Sequence, residues 1–201
     1  SYPKFLESMI AKFLNCSTAD GYNPYRIFRD GFDWEEQEPN NPWANIGYWG
    51  DHQIIYLLKL LELSKEFNSD ALQKLLNTEI FSFGNVPYHI KDYQDILKDP
   101  RNTIEFDYKL DEQLKTDEQL YGSDVKLLKK KDYTLVQVNL LEKLLLTLLV
   151  KMSNFIPGGG IWMNTQRPEW NDAKNALVGY GISMVTLFYI RRYVNFLKSL
   201  L

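Results

Sequence analysis

Leu135-Val-Gln-Val-Asn-Leu-Leu-Glu142-Lys143-Leu-Leu-Leu-Thr-Leu-Leu-Val-Lys151-Met152 is the stretch that sets the expected fold. Leu140, Leu141, Leu144, Leu145, Leu148, Leu149 and Met152 cover most of a helical circumference, interrupted only by Glu142, Lys143 and Lys151. The uncharged run between the two lysines is too short for a bilayer, which needs roughly 20 apolar residues. The stretch therefore reads as a core helix from Leu135 to about Phe155, ended by Pro157-Gly-Gly-Gly160. A helix that is apolar nearly all round needs neighbours on both sides.

Working outward, the same pattern recurs. Phe5, Leu6, Met9, Ile10, Phe13 and Leu14 place one helical face between Pro3 and Asn15. Asp51 opens a helix to about Phe67 whose Ile54, Ile55, Leu57, Leu58, Leu60, Leu61 and Leu63 again leave little polar surface. Ser69 or Asp70 is placed to cap the next helix. Phe81 to Pro87 reads as irregular. Short helices are expected near Tyr93–Lys98 and, with Thr103 as cap, near Ile104–Leu120. Gly122 and Lys129-Lys-Lys131 mark a turn or small hairpin. The last helix is expected from Ala173 to Leu200, where Gly179 and Gly181 each cost about 1 kcal/mol of helix propensity. The sum is about six or seven helices with long aromatic loops between them, and no internal repeat. All-α is the expected class, as a single domain over residues 1–201. Two helices that need covering on every side also predict a larger helical assembly: a homo-oligomer, or the remainder of a parent chain.

Composition narrows the function. The chain has 201 residues, 45% hydrophobic and 24% charged, the balance of an ordinary globular protein. A net charge of −3 makes nucleic acid a poor partner, and no membrane span is expected. One cysteine, Cys16, excludes an intrachain disulfide and reads as a packed thiol at a helix end. A Cys16–histidine dyad has no motif behind it. Two histidines, His52 and His89, are too few for a histidine-rich metal site, so neither metal nor cofactor is expected. No signal-peptide pattern is visible, and neither end reads as a natural terminus. The compartment stays open, with the cytoplasm favoured. The aromatic share of 14% falls largely in loops, where ring faces suit weakly polar ligands such as sugars.

Three clusters could carry chemistry. Arg29-Asp30-Gly-Phe-Asp-Trp-Glu-Glu36 interleaves an arginine and four carboxylates with aromatics: one wall of a polyol cleft, since such groups bind vicinal hydroxyls in pairs, or a solvated acidic loop. Trp43-Ala-Asn-Ile-Gly-Tyr-Trp49-Gly-Asp51-His52-Gln leads into a buried helix, where Asp51 serves as N-cap, as sugar ligand, or as both. Gly158-Gly-Gly-Ile-Trp162-Met-Asn164-Thr-Gln-Arg167-Pro-Glu169-Trp170-Asn-Asp172 crowds amides, carboxylates and two tryptophans together. Its triple glycine lacks the lysine and hydroxyl of a phosphate loop and reads instead as a place of close backbone approach. Asp172 is either the cap of the last helix or a catalytic carboxyl. Burial beside tryptophan would raise the pKa of Asp172 or Glu169, as glycoside cleavage requires of its acid. The two make a poor opposed pair, because inverting cleavage wants carboxyls about 6.5–9.5 Å apart with water between them.

Glu169-Trp-Asn-Asp172-Ala-Lys-Asn resembles the Asp-Trp-Asn-Asp-Gly-Met-Asn signature of cellobiose-phosphorylase-like enzymes, members of the (α/α)6-toroid glycoside hydrolase and phosphorylase superfamily. Tyr48-Trp-Gly-Asp51-His52-Gln is similar to that family's Ser-Asp-Asp-His-Leu-Trp type of segment, which binds glycone hydroxyls. The resemblance implies about half of a toroid, with Asp172 as general acid, Glu169 in support, and Trp170, Asp51, Trp49, His52, Arg29, Asp30 and Arg167 shaping the sugar site. It implies glycoside hydrolysis or phosphorolysis on an oligosaccharide or glucoside-like substrate, with inorganic phosphate as a co-substrate in the second case. The chain departs from the signature at Glu169 and Ala173. It contains neither the family's late phosphate-binding motifs nor a late catalytic base, so this segment alone is expected to be inactive. The alternative is a non-catalytic α-helical module that binds carbohydrate or protein.

Overall fold

The computed structural model describes residues 2–23, 26–34, 52–100, 102–164, 177 and 179–201. The first helix, α1 (Tyr2–Cys16), buries Leu6, Ile10 and Leu14, the face its periodicity assigns. The central helix begins as a π-helical stretch (His52–Leu57) and continues as α2 (Leu58–Phe67). Ile54, Leu57, Leu58 and Leu61 are wholly enclosed there because α1, α3 (Ser69–Leu75), α6 (Leu140–Met152) and α7 (Met184–Leu200) surround it. Burying each such side chain stabilises the fold by roughly 1.5–3 kcal/mol. This helix supplies the centre of the larger core. α3 carries no side-chain cap, so neither Ser69 nor Asp70 plays the capping role expected of it.

A second, smaller core lies where the end of α1 meets the segment around Tyr22, Phe32 and Trp34. Val86, Tyr88 and Leu114 complete it. Here the all-α expectation fails. Strands β1 (Arg26–Ile27) and β2 (Phe32–Asp33) pair antiparallel, as do β3 (Tyr88–Ile90) with β4 (Ile104–Phe106), and β5 (Ile161–Trp162) with β6 (Ile182–Ser183). Isolated bridges join further loop segments, among them Phe81 to Val138 and Lys129 to Leu135. The architecture is mixed, with helices packed around α2 and short antiparallel ribbons between them, and it is not an all-α half-toroid.

The physical reasons are local. Ile104-Glu-Phe106 alternates apolar and polar side chains and pairs with Tyr88–Ile90, so it joins a ribbon instead of the expected helix. α4 (Tyr93–Lys98) lies between those two strands, and α5 (Tyr108–Tyr121) begins after them. Asp107, not Thr103, caps α5, its carboxylate accepting from Leu110 N at 2.9 Å. Leu135–Val138 stay extended, and α6 begins at a capping box: Asn139 Oδ1 accepts from Glu142 N at 2.9 Å while Glu142 Oε2 accepts from Asn139 N at 3.3 Å. The last helix starts at Met184, because Gly179 has φ +76° and Ile182-Ser183 is held in a strand pair.

The quoted leucine-rich helix is covered on one side only. Leu140, Leu144 and Leu148 are buried, while Leu149 is 63% exposed and Leu145 and Met152 also face outward. Conversely Lys143, 2% exposed, lies inside. Its Nζ donates to Ser82 O at 2.6 Å and Ser17 O at 3.4 Å and sits 3.6 Å from the centroid of Phe83. The lysine ties two irregular segments to the helix, a task no leucine could do.

Candidate functional site

Two helices fix the geometry. Along α2 and α7 the contacts rise together in sequence: Lys59 lies over Tyr189, Glu62 pairs with Arg192 through two hydrogen bonds of 2.7 and 2.5 Å, and Lys65 reaches Ser199. The helices are therefore parallel. Their starts, His52 and Met184, lie at the same end. Residues 35–51 lead into the first start.

Residues 165–176 depart near the second. β5 pairs with β6 directly before Met184, and Gly179 N donates to Met163 O at 2.6 Å while Met163 N donates to Gly181 O at 3.1 Å. The chain thus leaves at Asn164 and returns at Leu177 through a closed base. Gly160 belongs to this base: a Cβ there would stand 3.0 Å from Ser183 O, so the glycine turn lies directly against the strand that starts α7. Gly179 is equally constrained, since a Cβ would come within 1.8 Å of Pro100.

Alternation along β5 sends Ile161 and Met163 into the core and Trp162 and Asn164 to the other side. Trp162 Nε1 donates to Gly179 O at 3.1 Å, which fixes the ring. Tyr93, at the start of α4, meets that ring edge-on at 6.1 Å and 78°. The sequence pattern singled out Trp162 and Asn164 within their cluster but not Tyr93. A lone tyrosine at the start of a short helix carries no motif, and its contact with Trp162 is made only by the tertiary fold.

Asp172, Glu169, Trp170, Arg167, Asp51 and Trp49 lie outside the described residues. His52 begins the central helix, and only its backbone is described. Arg29 and Asp30 occupy the turn between β1 and β2, with side chains 94% and 91% exposed and Nε 3.8 Å from Oδ1. The Asp30 carbonyl accepts a short hydrogen bond from Ser123 Oγ, which places that turn beside the end of α5. None of the described ion pairs or hydrogen bonds of Arg29 and Asp30 reaches Trp162 or α7. In the same cluster Trp34 is structural: it is buried, its Nε1 donates to Asp111 Oδ1 at 2.7 Å, and Lys126 Nζ lies 5.0 Å from its ring.

Away from this end, Cys16 does not suit nucleophilic chemistry. Burial pushes the Cys16 thiol up to about 11, against the milder opposing influence of Lys12 and Lys143. It stays protonated and unreactive near neutral pH. His89 lies 3.7 Å from Asp20, on an exposed surface. Among the described residues no group of three His, Cys, Asp or Glu side chains could hold a metal, and no helix is long and apolar enough to cross a membrane. Compared with protein-family models and with curated proteins, the chain has no match.

Proposed function

We propose that the protein handles a glucoside-like carbohydrate at the end of the molecule where α2 and α7 begin. Asp172 is the general acid of glycoside hydrolysis or phosphorolysis, and Glu169 its polar neighbour. Trp170, Trp49, Asp51, His52 and Arg167 shape the sugar site. One observation carries this reading. The segment 35–51 runs into His52 at the start of the central helix, and 165–176 leaves and returns at the ribbon before Met184, at the same end of two parallel helices. Residues more than a hundred positions apart in sequence are thereby attached to one region, as a shared site requires. The aromatic corner of Tyr93 and Trp162 at the root of the second segment agrees with a sugar ligand.

A single acid is half of the chemistry, since a base or a phosphate must stand opposite it. The test is hydrolysis of aryl glucosides, and phosphorolysis of cellobiose with inorganic phosphate, by the native chain and by Asp172→Asn. Loss of a general acid should lower kcat by about 10²–10⁴. Turnover that survives Asp172→Asn unchanged sinks the assignment. Should neither form turn over, backbone NMR with the same sugars decides: shifts must appear at His52, Asn164 and Leu177.

The exposed row of Leu145, Leu149 and Met152 on α6 favours a second reading, a non-catalytic module that uses this face to contact protein. Sedimentation of the native chain and of Leu149→Lys separates the two. An associating native protein that becomes monomeric in the variant supports the contact face, and a monomer throughout removes it.

A further inference from the structure

No charged residue occurs from Met152 to Asn164 or from Leu177 to Ile190, in a chain of which 24% is charged. The β5–β6 pair brings these two stretches together. Much of the surface they form is apolar and open to solvent. A Cβ at Gly159 would stand 3.3 Å from side-chain carbons of both Ile156 and Ile182, and one at Gly160 3.2 Å from Met184 Sδ, so these three side chains crowd around the glycine turn. Phe155 stands next to Ile156 in the chain. Phe188 lies three and four positions beyond Val185 and Met184, the spacing of one helical face, and continues the surface along α7. All six side chains are between 40 and 62% exposed. At Gly158 a Cβ would meet nothing within 4 Å, so the outer side of the turn is open as well.

The area decides whether a partner fits. Large apolar side chains present on the order of 150–250 Å² each, so these exposures amount to roughly 500 Å² on one molecule. Isolated proteins rarely show more than about 300–600 Å² in one patch, and patches of that size are commonly contact sites. Two copies would cover about 1,000 Å² of apolar side chain between them, before backbone or polar rim is counted, which is where specific interfaces begin. Charge decides the occupant. The face holds no group to pair with a charge, so its occupant is apolar and uncharged over the same extent. This chain displays such a surface itself. Under a twofold axis the face meets its own copy, and no like charges are brought together. A lipid surface fits less well, because interfacial helices carry lysine and arginine beside the apolar face. Of the two arginines that follow Phe188 on α7, Arg192 is committed to Glu62 by hydrogen bonds of 2.7 and 2.5 Å. We propose that the glycine turn and the first two turns of α7 form the interface of a twofold dimer of this chain. The interface is apart from the α6 row of the second reading and needs neither Leu145 nor Leu149. It borders the ribbon at which residues 165–176 leave and return, so the second copy stands beside the proposed sugar site without depending on it.

The experiment is sedimentation equilibrium over a concentration series of the native chain, Met184→Glu, Phe188→Glu, Leu149→Lys and Asp172→Asn. Both glutamate substitutions suit the helix. One puts a carboxylate in the first turn of α7, and the other puts one four positions before Arg192. Far-UV circular dichroism checks that each stays folded, and Phe188→Glu, at the more exposed position, carries the test should Met184→Glu unfold. The expected result is a native dimer of micromolar Kd, weakened about tenfold or more by either glutamate. Leu149→Lys and Asp172→Asn should leave the dimer unchanged, and a dimer kept in Asp172→Asn holds whether or not that variant loses turnover. A native chain that is monomeric at every concentration overturns the proposal. A dimer that neither glutamate weakens does the same. A dimer lost in Leu149→Lys but kept in both glutamate variants moves the contact to the α6 row, which supports the second reading and removes this interface. Growth beyond the dimer rules out a closed twofold contact. A monomer that floats with neutral phosphatidylcholine vesicles puts lipid on the face in place of the second copy.

Discussion

Lys143→Met tests how the buried lysine of α6 is accommodated. Lys143 has no carboxylate partner among the described residues; its ammonium faces two carbonyls and a ring. Burial pushes its pKa well below the ordinary lysine value, with Cys16 opposing weakly. Between that depressed pKa and the unfolded value of 10.5, the unfolded chain binds more protons than the folded one. Stability therefore rises with pH across this window, by up to about 1.4 kcal/mol per pH unit, and the gain is lost as pH falls through the folded pKa. The neutral amine still donates to Ser82 O, so the bond survives deprotonation. Methionine removes both the desolvation penalty and the donor. Ser17 O keeps the bond from Gly84 N at 3.0 Å, so a single carbonyl, Ser82 O, loses its donor, at a cost of about 1–3 kcal/mol. Contact of the new sulfur with Phe83 returns about 0.3–1.5 kcal/mol. Methionine carries none of the protonation penalty that lysine bears at pH 7, so it should be the more stable form there and lose that advantage as the solution becomes alkaline. Urea denaturation of both proteins from neutral pH upward reads the gap directly. A gap that does not change between neutral and alkaline pH would show that Lys143 is a cation in the folded state, held by the ring and carbonyls, and would refute the reasoning.

Cys16 acts with the opposite sign. Its thiol titrates at about 11 in the fold against 9.0 for the free group, so stability is lost as pH rises between those values, and Cys16→Ala should flatten that alkaline loss in a pH series of urea midpoints. Asn139→Ala deletes the side-chain acceptor of the capping box and should cost about 0.5–2 kcal/mol in chemical denaturation, with Asn139→Asp restoring most of it. Gly179→Ala sets a Cβ against Pro100 on a backbone of φ +76°, and should destabilise by about 1 kcal/mol or more while lowering the protection of the Met163 and Gly181 amides in hydrogen exchange.

The helices were the legible part of the fold. Leu6, Ile10 and Leu14 on α1 follow a 3.6-residue period and are buried where it points, and Ile54, Leu58 and Leu61 are enclosed as the nearly all-round apolar character of the central helix requires. The ribbons were not legible, because strands of two or three residues carry too little alternation to outweigh a helical reading of their surroundings. α6 shows a different limit. Periodicity assigns leucine to the inside and lysine to the outside, yet Leu149 is exposed and Lys143 and Lys151 are buried. What reverses them is the demand of carbonyls and rings in the irregular segments that pack there, and no window of local sequence contains it. The candidate site divides in the same way. Trp162 and Asn164 were picked out by a dense polar and aromatic cluster. Tyr93 joins them only because β3, α4 and β4 fold back against β5.

The parallel pair also suggests why a site should form at one of its ends and not the other. At the C-terminal end of α7, Lys65 donates to Ser199 O at 2.5 Å and Gln73 makes a short hydrogen bond to Leu200 O. Those are the last carbonyls of the helix, which no intrahelical donor reaches, and a lysine there also complements the helix dipole. That end is stapled by side chains from α2 and α3. At the opposite end the helices are entered through a π-helical stretch, a glycine turn with positive φ and a ribbon of two residues per strand. Ile54, Leu57 and Ile161 are enclosed there, so the core reaches this end as well, and what distinguishes it is the aromatic corner of Tyr93 and Trp162 on the outer side of the ribbon. With that core behind it, the chain can carry exposed aromatic and polar groups at this end without loss of packing.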